Sequence, residues 1–175
     1  QFAQMASVYM KEVMGIENPR VGIVNIGEEE EKGNQLVQET IPLLKECASI
    51  NYIGSVESRG ITEGMADVVG CDAFVGNIIL KMYEGVASFI LKAMKETLTS
   101  DFKTKLGALM IKKRLKESMK TFSIEEYGGS PMLGLKHPVF KTHGSSKSAE
   151  IRNTILQCRA FVKNNVCSQI GEFMK

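Results

Sequence analysis

Apolar residues recur along this chain with helical and with strand periods. Phe2, Met5, Ala6, Tyr9 and Val13 stand three or four apart, the spacing of one helical face. A helix is expected over residues 2–14, stopped at Gly15. Arg20 to Ile26 (RVGIVNI), entered through Pro19, reads as a strand. Gly27, four glutamates, Lys32 and Gly33 then form a charged loop at the strand's end. Asn34 can cap a second helix with Val37, Ile41, Leu44 and Ala48 on its inner face. Pro42 is expected to kink that helix or end its first part. Ile50 to Gly54 is another short strand, followed by a connection through Glu57-Ser58-Arg59-Gly60.

The stretch Ala66 to Lys81, ADVVGCDAFVGNIILK, organises the rest. Asp67 to Cys71 reads as a buried strand, and Gly76-Asn77 open a helix reaching about Leu98. Ile79, Met82, Tyr83, Val86, Ile90, Ala93 and Met94 form its apolar stripe, widened by Leu80, Ala87 and Leu91. One polar line remains: Lys81, Glu84, Ser88, Lys92 and Lys95. A helix so apolar is expected to be largely buried, in the core or at a dimer interface. Residues 101–120 carry seven basic and two acidic side chains around Leu106 to Ile111. A projecting basic and apolar helical segment over residues 99–121 is expected, with a hydrophobic tip. It is either a solvated basic helix or a surface touching anionic lipid or an acidic protein. After a turn-rich linker, Glu126 to Pro131, come a strand at Pro138–Lys141, a polar turn at Thr142 to Ser146 and a closing helix at Ala149 to Val166. The alternation of helix and strand predicts an α/β domain over residues 1–175, its mostly parallel sheet covered on both faces.

With 175 residues, 43% of them hydrophobic, the chain can bury a real core. A net charge of +2 carries no global nucleic-acid signature. Four cysteines without a CxxC pair read as reduced thiols of a cytoplasmic protein, Cys47 and Cys71 in apolar surroundings. Two histidines and scattered cysteines predict no metal site. No signal peptide and no run of about 18 apolar residues stand out, so neither export nor a membrane span is expected. The chain opens at Gln1 in mid-helix pattern, which suggests part of a longer protein.

In open α/β sheets, ligands bind beyond the carboxyl ends of strands, where helix N-termini offer N–H groups to anions. Asp72 is therefore a general base, a hydrogen-bond orienter or a cap. Asn77 is a site amide or a cap, and Lys81 an anion contact or a solvated lysine. His143 at the later strand end can act as acid, base or anion contact, or be a surface turn residue. His137 reads as structural. Ser145 and Ser146 cap the last helix or bind phosphate oxygens, and Gly27 and Gly33 shape a loop beside the site. GxGxxG, GxxxxGK[ST] and GxSxG are all absent, so nucleotide and hydrolase-elbow readings lack support.

Taken in order, RVGIVNIGEEEEKGN, ADVVGCDAFVGNIILK, YGGSPMLGLKHPVF and THGSSKSAEIRNTI resemble the C-terminal half of the PlsX family. These are the phosphate:acyl-[acyl carrier protein] acyltransferases of bacterial phospholipid synthesis. The resemblance covers nearly the whole chain. It implies a three-layer α/β/α sandwich akin to phosphotransacetylase and isocitrate dehydrogenase-like enzymes. It implies acyl-phosphate made from long-chain acyl carrier protein and inorganic phosphate, with no metal, nucleotide or other cofactor. A cytoplasmic homodimer, peripherally attached to the membrane and handing its product to a glycerol-3-phosphate acyltransferase, is also implied. On this resemblance His143, Asp72 and Asn77 would be catalytic. Gly76, Lys81, Gly144, Ser145, Ser146, Gly27 and Gly33 would hold substrate or phosphate. Leu106, Leu109, Met110, Lys112, Lys113 and Arg114 would meet membrane or carrier protein. Two positions depart from the family pattern: Ala73 stands where CDGFVGN has glycine, and Gly60 follows Arg59 where an acid is common. The alternatives are a non-catalytic domain binding an acidic protein or anionic membrane, and a phosphotransacetylase acting on acyl-CoA.

Overall fold

The structure is a computed structural model describing residues 1–29, 31–119 and 128–173. Glu30, Lys120 and the linker residues Glu126 and Tyr127 lie outside the described residues. Three strands, β1 (Arg20–Val24), β2 (Asn51–Val56) and β3 (Val68–Gly70), form a parallel sheet in the order β2-β1-β3. The chain is α/β, as its alternation predicted. β1 is central, and Val21, Gly22 and Ile23 are all buried, which explains an apolar run without alternation. Gly22 is dictated by β2: a Cβ there would lie 2.4 Å from Val56 Cγ2. β2 runs two residues past the expected Gly54. Its register with β1 skips Ile53, pairing Val21 with Tyr52 and Gly22 with Gly54. Gly54 has φ +101°, a conformation open to glycine at this bulge.

Helix α1 (Phe2–Glu12) packs on β3, and α2 (Gln35–Glu46) packs on β1 and β2. Asn34 caps α2 as expected, its side chain accepting the Val37 N–H at 2.9 Å. Pro42 does not end α2, which continues to Glu46. The proline is exposed, and buried Ile41 anchors the inner face beside it. The connection after β2 contains a short helix, α3 (Ser58–Thr62). Gly60 is buried there, and a Cβ would fall 2.3 Å from Met65 Sδ; an acid does not fit.

Two compact units make up the described chain: Gln1–Cys71 with Tyr127–Lys175, and Asp72–Glu126. In the first, Met5 and Val8 of α1 meet Phe161 of α6 (Ser148–Lys163) and Val166 and Ile170 of α7 (Val166–Phe173). Phe140 stands edge-on to Phe161 at 5.6 Å between ring centres. The single closing helix expected to reach Val166 thus breaks in two. Asn165 takes φ 53°, which asparagine tolerates, and the Asn164 side chain donates to the Glu12 carbonyl. A hairpin of β4 (Ser130–Pro131) and β5 (Phe140–Lys141) is tied to α6 by the Gly129 N–H, which donates to buried Thr154 Oγ1 at 2.7 Å.

The second unit holds α4 (Ala73–Leu98) and α5 (Phe102–Met119), joined through Thr99-Ser100-Asp101. Asp101 turns the chain by accepting the N–H groups of Lys103 and Thr104 at 2.8 and 3.0 Å. α5 then runs unbroken through Gly107, so Leu106 to Ile111 form a helix flank and no tip. No residue of α4 is buried, which overturns a place in the core. α4 is also long and apolar enough, by length and composition, to cross a membrane: an 18-residue window has mean hydropathy 1.4. Lys81 and Glu84 interrupt this run, so residue-by-residue reading passes over it.

The start of the sheet is pinned by one ion pair. Arg20 donates to Asp67 from its backbone N–H at 2.8 Å and from Nε and Nη2 at 3.0 Å, and Nη2 reaches the Gly64 carbonyl at 2.9 Å. These bonds hold the Asp67 carboxyl below the usual carboxylate range. A depressed folded-state value contributes stability above about pH 4, lost as pH falls through the folded value. Asp67→Asn should lower the melting temperature at pH 7 by about 2–4 °C and flatten its decline below about pH 4. Melts from pH 2 to 7 check this; an unchanged acid slope would refute it.

Candidate active site

The carboxyl end of β1 is organised by Asn25, a buried side chain that the sequence reading missed. Its Nδ2 donates to the Lys32 carbonyl and to Ser55 Oγ, both at 3.1 Å, and its Oδ1 accepts the Ile26 N–H at 2.8 Å. Its signal was to be the only polar residue after Arg20 in RVGIVNI. Gly33 has φ +106°, and a Cβ there would sit 2.6 Å from Asn25 Oδ1. Gly33 is thus required by the loop's closure. Gly27 lies under the Lys32–Glu29 ion pair, 2.8 Å long. That pair lowers the Glu29 pKa and raises that of Lys32, chiefly through their mutual hydrogen bond. Both glycines therefore shape the loop.

α4 begins at Ala73, one turn before the expected start. The reason is Asp72, which accepts the Val75 N–H at 2.8 Å through its side chain, while its carbonyl takes the Gly76 N–H at 2.9 Å. Asp72 is the cap. Ala73 takes a helical conformation, so an alanine replaces the family's glycine without strain. Asn77 consequently lies inside the helix, exposed. Lys81 is on the same face one turn further on, its Nζ donating to Glu84 Oε2 at 2.8 Å. Asp72, Gly76, Asn77 and Lys81 are brought together on the first turns of one helix. Cys71, just before them, is exposed and Cys47 only half-buried; apolar surroundings were expected for both.

The turn after β5 folds on itself. Ser146 N–H donates to the His143 carbonyl at 3.0 Å, and Ser145 N–H donates to His143 Nδ1 at 3.3 Å. Ser145 Oγ lies 2.6 Å from the same nitrogen. A backbone N–H can only donate, so Nδ1 is the acceptor, Nε2 carries the proton, and the hydroxyl donates too. Acid–base work by His143 would fall to Nε2. Neither serine caps α6: the first N–H there, from Lys147, goes to Glu150 Oε2 at 3.1 Å. His143, Gly144 and Ser145 are exposed. The turn belongs to the first unit and the Asp72–Lys81 constellation to the second.

Helical spacing divides the predicted contact residues on α5. Leu109 and Lys112 line a groove with α4. Leu106 and Met110 do not line it and are exposed, Met110 to 84%. Lys113 and Arg114 are exposed as well. Among the described residues, no three of His, Cys, Asp and Glu gather where a metal could be held.

A protein family described as fatty acid synthesis protein matches residues 1–169. A phosphate acyltransferase of Thermoanaerobacter pseudethanolicus is 51% identical over 172 residues, 98% of this chain and 52% of that protein. One from Clostridium perfringens (strain SM101) is 49% identical over 172 residues, 98% of this chain and 51% of its own length. One from Bacillus subtilis (strain 168) is 45% identical over 175 residues, 100% of this chain and 53% of its own. The chain spans about half the length of the curated relatives it matches.

Three substitutions test what holds these loops and caps in place. Asp72→Ala should cost about 1 kcal/mol through loss of the cap, whereas Asp72→Asn should cost almost nothing, asparagine being an equal cap. Urea melts of both measure this, and equal losses would show that the cap is not what matters. Gly33→Ala should cost about 1–3 kcal/mol from a strained left-handed backbone, read in the same way.

Proposed function

The chain belongs to the fatty acid synthesis protein family, and from that premise we propose that it serves an acyltransferase that moves a fatty acyl group from acyl carrier protein to inorganic phosphate. The product would be an acyl-phosphate for phospholipid synthesis. The observation that carries the reading is the coincidence of a family match over residues 1–169 with an exposed amide, Asn77, on a helix that starts three residues after a parallel strand ends. The relatives' names supply phosphate as a substrate and acyl transfer as the reaction.

In this reading a phosphate oxygen attacks the thioester carbonyl. A C–O bond forms, the C–S bond breaks, and the carrier's thiolate leaves and takes up the proton that phosphate gives away. Negative charge grows on the carbonyl oxygen, and the Asn77 side-chain N–H groups are suited to meet it. N–H groups at the start of α4 offer phosphate uncharged donors, and Lys81 would supply positive charge by leaving Glu84. In the first unit, the exposed His143 Nε2 would serve as a hydrogen-bond donor to an anion. The apolar, unburied girth of α4 supports a homodimer contact. The basic flank of α5 with exposed Leu106 and Met110 supports contact with acidic carrier protein or the cytoplasmic membrane face, where a glycerol-3-phosphate acyltransferase would take the product.

Mass spectrometry of palmitoyl carrier protein incubated with phosphate and the protein, in this form and joined to the upstream half, tests the reading. Phosphate-dependent release of free carrier protein and palmitoyl-phosphate is expected. Asn77→Ala should lower kcat by about 10²-fold or more while its melting curve stays unchanged. No turnover in either form would overturn the acyltransferase reading and favour a binding module.

A further inference from the structure

Within the first unit, at the amino ends of β1 and β2, lies a cavity of about 270 Å³ that no step above uses. Asn25 and its loop stand at the opposite end of the same strands. Gln4, Ser7, Val8, Lys11 and Glu12 of α1 form one wall, with the spacing of a single helix face. The chain entering β1 adds Glu17 and Asn18, and α7 adds Gln169 and Phe173. The volume falls just below the range of about 300–1,000 Å³ common to sites for drug-sized molecules, so the cavity suits a small one.

One atom of this wall is left over. Ser7 is only 8% exposed, and its buried Oγ has no hydrogen-bond partner. An unpaired buried hydroxyl costs stability, and a bound molecule that pairs with it removes the cost. The other polar groups are chiefly acceptors. Gln4 Nε2 is committed to Ser49 Oγ and Gln169 Nε2 to the Asn164 carbonyl, both at 2.9 Å, which leaves the two side-chain oxygens for something else. Two carboxylates, Glu12 and Glu17, stand against one cation, Lys11. None of these three forms an ion pair among the described residues. A lining rich in acceptors and negative by one charge is complementary to a cation that brings several N–H groups. We propose that this cavity binds a small alkylguanidinium. Its flat head offers five N–H donors in a fixed fork to the carboxylates, the amide oxygens and the Ser7 hydroxyl, and its stem lies on Val8 and Phe173. The site is separate from the acyl-transfer reading and does not depend on it.

Isothermal titration of the protein with butylguanidinium should give saturable binding of one molecule per chain. Butylurea, its neutral counterpart of the same shape, should bind at least about tenfold less well. Glu12→Gln with Glu17→Gln should weaken butylguanidinium binding by about tenfold or more, with circular dichroism unchanged. Ser7→Ala should act in two opposite directions. It should raise the melting temperature of the free protein, because the unpaired hydroxyl is gone, and weaken binding by about fivefold. A purely structural serine would not lower affinity while raising stability. Absence of saturable binding would overturn the proposal. So would equal affinity for butylguanidinium and butylurea, full binding by a folded Glu12→Gln, Glu17→Gln variant, or unchanged affinity in Ser7→Ala.

Discussion

Strand β1 has a neighbour on each side, and that constraint sets much of what surrounds it. A strand paired at both edges and covered on its faces must be apolar almost throughout, and it can carry a glycine only where a neighbour fills the space. Gly22 is such a case, because Val56 occupies the volume a side chain would need. The first residue free to be polar is Asn25, and it is put to use at once: it gathers the Lys32 carbonyl, Ser55 and its own following N–H. The charged loop after β1 therefore closes on a buried amide.

The second unit follows a different logic. Helix α4 is apolar without being buried, so the unit's own packing leaves much hydrophobic surface in water. At about 25 cal/mol per Å² such surface favours any partner that covers it. The proposed dimer contact and membrane contact are two ways to do so.

The positions of the three strands of the parallel sheet, the cap at Asn34 and the parallel α/β character were legible because each rests on local signals: a β-branched run, a capping side chain, a change of period. The Ser130–Pro131 strand, read as linker, was not. The start of α4 was misread because Asp72 competes with Asn77 as a cap, and composition alone does not say which one the chain uses. The break between α6 and α7 turns on one left-handed asparagine and a bond from Asn164 to α1, a partner 152 positions away. The hydrophobic tip was read from the apolar run Leu106 to Ile111 between basic flanks, interrupted by Gly107, yet a single glycine costs a helix only about 1 kcal/mol, and α5 absorbs it. In the candidate site, the residue types were readable; that Asp72 is occupied in capping and His143 in its own turn was not, because both depend on backbone geometry.

The bulge at Ile53 has a consequence for how this protein can vary. Side chains on a strand alternate, so one extra residue reverses the face of everything after it. Beyond the bulge, Val56 falls beside Gly22 and Ser55 reaches Asn25. Ile53 itself is 41% exposed, and its chemical identity matters little. Its presence as a unit of length matters a great deal. Between Tyr52 and Gly54 the chain can change its lettering freely, but it cannot change its count without turning Ser55 away from the loop that Asn25 closes.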